Sequence, residues 1–250
     1  MKAMILAAGL GTRLRPLTND RPKALVTVGG RTLLEIALSR LRVFGVDQVI
    51  VNTHYFGEMI HTYLRVNNDF GMRIEMSHEE SLLDTGGGLK QAAWFFTETA
   101  DDWNEPFILH NVDVVSTIDL RRMLEFHSRQ GALATLAVQD RVTSRYLLFD
   151  ERDELCGRRD GRDGQTELAR PAVETHALAF SGIHVLSRYI FSKIKEEGAF
   201  SIISAYLRLA ANGGKIIAFP SNEYEWRDLG RPENVVQVAR EIESGMFPVG

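Results

Sequence analysis

The sequence has few of the features that mark secreted, membrane or nucleic-acid-binding proteins. Among 250 residues there is one cysteine, Cys156. No internal disulfide is therefore possible, no CxxC metal or redox pair exists, and a reducing, cytoplasmic setting is expected. Long hydrophobic runs are missing too. The apolar stretch in MKAMILAAGLGTR is far too short for a membrane span, and it runs into a Gly/Thr/Arg loop rather than a cleavage site. It is expected to be a first buried strand, not a signal peptide. There is no basic excess: the formal charge is −4, which argues against nucleic-acid and membrane partners. Internal repeats and low-complexity linkers are absent, and no domain boundary stands out. A single domain over 1–250, with an inserted or appended β-rich lobe, is the expected organisation. The seven histidines show no HExxH or other ligand spacing, and no Gly-x-Ser-x-Gly elbow suggests a hydrolase.

What is present is an ordinary globular composition, 44% hydrophobic and 25% charged, long enough to bury a core. Its cations are unevenly placed. Lys2, Arg13, Arg15, Arg21, Lys23 and Arg31 face a single acid, Asp20, within residues 1–31, which suits a local anionic ligand; a solvated basic edge is the plain alternative. Short apolar runs at 3–8, 48–52, 73–77, 106–110 and 132–138 predict strands. Helical spacing separates them at Leu33 to Phe44, Met59 to Leu64, Leu89 to Phe96 and Leu120 to Phe126. Such alternation predicts an α/β fold of the Rossmann-like, doubly wound kind, with a mostly parallel mixed sheet and function at the carboxyl ends of its strands. After Val138 the pattern loosens into short strands at 146–149 and 154–157, an exposed loop or hairpin at 158–170, further strands at 176–186 and 215–219, and helices at 202–211 and 234–242.

The stretch AAGLGTRLRPLTNDRPKAL, Ala7 to Leu25, follows the first strand directly. Glycines at 9 and 11 free the backbone so that successive N–H groups can form an anion nest. A Walker A loop would need a Lys-Ser/Thr pair, and a dinucleotide fingerprint a third glycine where Leu14 stands, so neither fits. What remains is a glycine loop with Arg13 close by and Lys23 beyond a proline-bounded segment. A triphosphate needs both backbone donors and cations. The Arg13 fork suits the outer phosphates, and the Lys23 point charge suits a contact nearer the reacting phosphorus. Glycines in such a turn are otherwise often merely structural.

With Gly9, Gly11, Thr12, Arg13, Leu14, Pro16, Leu17, Thr18, Pro22 and Lys23 in place, the pattern GxGTRLxPLT…PKAL resembles the signature of the sugar-1-phosphate nucleotidyltransferase family. The resemblance runs through most of the chain and is weakest between about 150 and 175. It implies a Rossmann-like core with a small β-rich sugar-binding lobe, an NTP and a sugar 1-phosphate as substrates, and a Mg2+-dependent reaction releasing pyrophosphate. In that likeness Ala7, Ala8, Gly9, Gly11, Thr12 and Arg13 bind the nucleotide, and Arg13 and Lys23 are the catalytic cations. Asp113 in HNVDVV and Asp228 in WRDLGRPE are the implied metal ligands. The family usually has Asn-Gly-Asp where this chain has Asn111-Val112-Asp113, so Val112 alters the local geometry.

In DTGGGLK, Asp84 to Lys90, the glycines read either as a flexible helix start capped by Asp84 or Thr85, or as a surface letting the nucleoside approach Gly86 and Gly87. The resemblance also puts Asn52, Asn111, Ser181 and Gly182 on the sugar-phosphate side. His78-Glu79-Glu80 is expected to be a solvated loop, and Trp94, Phe95 and Phe96 to pack in the core. The hexapeptide repeats of longer relatives' β-helices are missing. The TGGG run and the lack of a central Glu-Lys-Pro motif resemble compact uridylyltransferases of the N-acetylmuramate 1-phosphate type, with UTP the expected nucleotide. Mannose- or heptose-1-phosphate guanylyltransferases are the near alternative, and a catalytically idle NDP-sugar-binding subunit the distant one.

Overall fold

A computed structural model of the chain describes residues 1–98, 103 and 105–247. In chain order the first elements are β1 (Lys2–Leu6), β2 (Thr27–Val28), β3 (Arg31–Thr32), α1 (Leu33–Val43), β4 (Gln48–Thr53), α2 (Gly57–Val66) and β5 (Arg73–His78). Next come α3 (Asp84–Gln91), α4 (Ala93–Thr97), β6 (Pro106–Asn111), β7 (Val114–Ser116), α5 (Leu120–Gln130) and β8 (Ala134–Gln139). The remainder is β9 (Arg145–Phe149), β10 (Leu155–Asp160), β11 (Thr166–Leu168), β12 (His176–Ser187), α6 (Ile202–Ala211), β13 (Ile216–Pro220), β14 (Trp226–Asp228) and α7 (Pro232–Glu243). The fold class is α/β with a mixed sheet, as the strand–helix alternation predicts.

The helix starts are written in the sequence. Thr32 caps α1 by accepting the Glu35 N–H, with the Thr-x-x-Glu spacing of a capping box. Asp119 caps α5, which stops at Gly131 in the left-handed region. Ser201 caps α6, and Pro232 sits in the first turn of α7, where its missing N–H costs nothing.

The chain separates into two compact units, each discontinuous in sequence. One comprises Met1–Asp84, Leu109–Ile118 and Glu225–Gly250; the other comprises Thr85–Ile108 and Asp119–Tyr224. In the first unit, β4 lies between β1 and β5, parallel to both, and its register aligns Leu6, Asn52 and Ser77 in one row across the strand ends. A short antiparallel ribbon pairs β7 with β14, setting Asp228 opposite Val114. The core here is aliphatic, with Met4, Ile5, Leu34, Leu38, Leu41, Val49 and Ile50 fully buried.

The second unit is built around β12, which runs antiparallel to β8 on one side and β9 on the other. β10 extends it as the antiparallel neighbour of β9, β11 pairs antiparallel with β10, and β13 lies parallel to β8. The expected hairpin at 158–170 is the β10–β11 pair. A stack of Phe96, Phe107 and Phe191, with ring centroids 4.0–5.7 Å apart, fills its interior. Phe95 and Phe96 pack as expected, but Trp94 is 39% exposed. On the short helix α4 only one face is covered, and Trp94 points off it.

Candidate active site

The loop after β1 stays close to the sheet because its first residues are held there. The Val112 N–H donates to the Leu6 carbonyl at 3.2 Å, and the Ala7 N–H donates to the Asn52 side-chain oxygen at 2.7 Å. Ala7 and Ala8 are buried, whereas Gly9, Thr12 and Arg13 are exposed. Gly11 has φ +63°, and its carbonyl accepts from Leu14 N–H at 2.9 Å and from the Thr18 hydroxyl at 2.8 Å. A β-carbon there would stand 3.0 Å from Thr18 Cγ2 and 3.3 Å from Lys23 Cβ. Glycine is therefore required twice over at position 11, by the backbone angle and by the close approach.

Lys23 opens a short helical turn after Pro22, anchored by the buried Ala24 and Leu25. Its ammonium lies 3.0 Å from Asp113 Oδ2, with both side chains largely shielded from solvent. A β-carbon at Gly9 would sit 3.9 Å from the same nitrogen. The lysine thus lies over the glycine loop and against the acid at the start of β7. Charges this shielded interact more strongly than surface pairs.

Asp113 and Asp228, 115 positions apart in sequence, are brought together by the β7–β14 ribbon. The Leu229 N–H donates to the Asp113 carbonyl at 2.8 Å. The Asp228 Oδ1 accepts the Gly230 N–H at 2.7 Å, and the Asp228 carbonyl accepts from Asn234 Nδ2, also at 2.7 Å. A β-carbon on Gly230 would stand 2.8 Å from Asp228 Oδ1 and 2.9 Å from Arg13 Nη2. Arg13, Lys23, Asp113 and Asp228 therefore converge in the first unit. Asn111 is half-buried at the end of β6, two residues before Asp113, and Val112 between them is fully buried. Beside them His110 is buried; its Nδ1 lies 2.8 Å from the Asn111 carbonyl, and burial pushes its pKa down to about 4.

Two expectations change. Asn52 is only 3% exposed, and both ends of its amide are engaged: Oδ1 with Ala7 and Nδ2 with Glu79 Oε1 at 2.7 Å. It supports the loop from behind instead of presenting its amide to a sugar. Glu79, expected in a solvated loop, is 1% exposed, while its neighbours His78 and Glu80 are exposed. The alternation of β5 gives no signal for it, since Glu79 shares the strand face of the exposed Arg73 and the half-exposed Glu75.

In the second unit, Gly86 and Gly87 lie inside α3, not ahead of it as a cap. The Gly86 N–H donates to the Phe200 carbonyl at 2.9 Å, and a β-carbon at 86 would fall 2.3 Å from the Phe200 ring. Packing alone thus demands glycine at 86. Ser181 is fully buried on β12, and Gly182, with φ +75°, sits where the β12–β8 register shifts between Phe180 and His184.

The family model described as nucleotidyl transferase matches residues 2–245. The chain belongs to this family. An N-acetylmuramate alpha-1-phosphate uridylyltransferase from Caulobacter vibrioides is 33% identical to this nucleotidyltransferase over 240 residues, covering 92% of each chain. A mannose-1-phosphate guanylyltransferase from Mycobacterium tuberculosis is 30% identical over 98% of the chain but 66% of its own length. Among solved structures, HddC from Yersinia pseudotuberculosis complexed with GMP-PN shares the fold, with a TM-score of 0.74 at 23% identity over 96% of this chain and 99% of that one. The chain is thus a sugar-1-phosphate nucleotidyltransferase, as its motifs imply. Among the described residues, no helix is long and apolar enough to cross a membrane.

Proposed function

We propose that this nucleotidyltransferase transfers a uridylyl group from UTP to a sugar 1-phosphate of the N-acetylmuramate class, releasing pyrophosphate, and that residues 1–250 act as one catalytic domain. The observation that carries the proposal is the convergence of the Lys23–Asp113 ion pair with Asp228 and Arg13 around the glycine loop. The choice of UTP is supported by likeness to the Caulobacter enzyme over nearly the full length of both chains. Four crossings of the chain between its two units support the single domain.

The chemistry follows from charge. A phosphate oxygen of the sugar 1-phosphate is already anionic near neutral pH, so its attack on the α-phosphorus needs no general base. The obstacle is repulsion between two anions, and fixed positive charge with oriented N–H groups lowers it. The backbone of Gly9, Gly11 and Thr12 cradles the triphosphate, with Ala7 and Ala8 fixing where that cradle begins. Arg13 neutralises the departing pyrophosphate, and Lys23 meets the α-phosphate or the sugar phosphate. Gly86 and Gly87 face the nucleoside, while Asn111, Ser181 and Gly182 serve the sugar side.

A divalent metal fits the donor set. Asp113 and Asp228 supply hard carboxylate oxygens from neighbouring strands. Lys23 engages one oxygen of Asp113 and the Gly230 N–H one oxygen of Asp228, which leaves the second oxygen of each for a cation. A Mg2+ held there would neutralise phosphate charge. The reaction belongs in the cytoplasm, where nucleoside triphosphates are held.

Pyrophosphate release from a panel of NTPs and sugar 1-phosphates with Mg2+ tests the proposal. Turnover with UTP and N-acetylmuramate 1-phosphate is expected to exceed that with GTP and mannose 1-phosphate. The guanylyltransferase reading draws on the mycobacterial relative, and a GTP preference would replace the first reading with it. Binding of NDP-sugars without any turnover would indicate a regulatory subunit instead.

A further inference from the structure

The buried acid Glu79 has no part in the chemistry described above, yet it is tied in four directions. Its N–H donates to the Thr53 carbonyl at 2.8 Å, and its carbonyl lies 2.7 Å from His54 Nδ1. Its side chain accepts twice, from Asn52 Nδ2 at 2.7 Å and from the Leu83 N–H at 2.9 Å. Leu83 is the residue immediately before α3. Beyond Asn52 the chain of bonds continues to the Ala7 N–H, where the glycine loop leaves β1.

The direction of this chain is fixed by what each group can do. A backbone N–H only donates, so Asn52 must turn its oxygen to Ala7. Its NH2 then faces the other way and needs an acceptor in a place water does not reach. Glu79 supplies that acceptor, with one carboxylate oxygen for Asn52 and the other for Leu83. Without it, the buried NH2 would have to rotate to find another partner, and the Ala7 N–H would lose its own.

We infer that Glu79 is a positioning residue. Through Asn52 it fixes the start of the glycine loop, and through Leu83 it closes the turn that follows β5. One carboxylate thereby holds, from behind, the stretch proposed to cradle the triphosphate. Its consequence for catalysis rests on the glycine loop being the triphosphate cradle; its consequence for the loop itself does not.

The test compares Glu79→Met, which removes both acceptors, with Glu79→Gln, which keeps one oxygen for Asn52. In the ligand-free protein, amide exchange at Ala7 followed by NMR is expected to quicken about tenfold in Glu79→Met, with Val49 to Val51 unchanged. In turnover, the KM for the NTP is expected to rise about tenfold while that for the sugar 1-phosphate stays within about twofold. Glu79→Gln is expected to restore Ala7 exchange and the KM for the NTP to within about threefold of wild type. Unchanged exchange at Ala7, equal acceleration at Ala7 and Val49 to Val51, or a Gln variant as impaired as Met would each overturn the inference. Faster exchange at Ala7 with an unchanged KM for the NTP would uphold the positioning role and overturn the loop's role as cradle.

Discussion

Replacing Gly230 by alanine adds one carbon at the point where Arg13 and Asp228 meet. Gly230 has no left-handed backbone angle, so alanine brings no backbone strain, and the effect is confined to the new atom. That atom would stand 2.8 Å from Asp228 Oδ1 and 2.9 Å from Arg13 Nη2, where ordinary contacts between such atoms need about 3.5 Å. The guanidinium sits at the end of a flexible side chain and can retreat. The carboxylate is held by the Gly230 N–H at 2.7 Å, so its retreat sacrifices a charge-assisted hydrogen bond worth about 1.5–3 kcal/mol. The fold can absorb this, but the chemistry cannot. A displacement of about 1 Å in groups that position phosphates costs on the order of 100-fold in rate. The expectation for Gly230→Ala is therefore a kcat about 100-fold lower, roughly 2.7 kcal/mol in barrier, with a melting temperature within a few degrees of wild type. Continuous pyrophosphate release and thermal melting on the same preparation measure the two quantities. A variant retaining at least half the wild-type kcat would refute the placement of Arg13 and Asp228 at one reacting centre.

Asp113→Ala and Lys23→Ala are each expected to lower turnover by at least about 1,000-fold while the circular dichroism spectrum stays native; full activity in either would remove that residue from the mechanism. Gly86→Ala forces a methyl group into Phe200 and its carbonyl, so a loss of about 1–3 kcal/mol is expected, seen as a melting temperature lower by about 2–4 °C per kcal/mol; an unchanged melting temperature would contradict the packing. His110 and His127 are held at about 4 by burial, against 6.5 when free. Between those values the unfolded chain binds more protons than the folded one, so stability is complete above pH 6.5 and is lost as pH falls toward 4. Urea unfolding should show about 2 kcal/mol lost per histidine from pH 7 to pH 5. A flat profile would argue against neutral buried histidines, and His127→Gln should remove its share of the slope.

Much of the candidate site was legible because the chemistry proposed for it needs rare combinations of residues at short spacing. Gly9, Gly11, Arg13 and Lys23 fall within fifteen residues of one another, and each aspartate carries its own motif. The β7–β14 ribbon was not legible. Three-residue strands carry no periodicity, and they pair across more than a hundred residues, so nothing local marks them. Asn52 was misjudged because a buried amide and a substrate-facing one look alike in sequence; only its neighbours on β1 and β5 distinguish them. Glu79 was missed because an acid between a histidine and another acid reads as solvated. The two units escaped notice because the crossings at Ile108, Ile118 and Tyr224 carry no glycine- or proline-rich linker, and the glycines that follow the crossing at Asp84 belong to α3.

The pairing of β7 with β14 also bears on how the protein is made. Asp113 leaves the ribosome 115 residues ahead of Asp228, an interval of roughly 6–23 s at ordinary elongation speeds. Throughout it, β7 has no ribbon partner and the Asp113 carbonyl lacks the Leu229 N–H. A nascent chain can lay down its parallel strands early, but it cannot bring its two carboxylates together until Asp228 has been made. A chain that stops between β7 and β14 would therefore leave Asp113 without the second carboxylate proposed to share its cation.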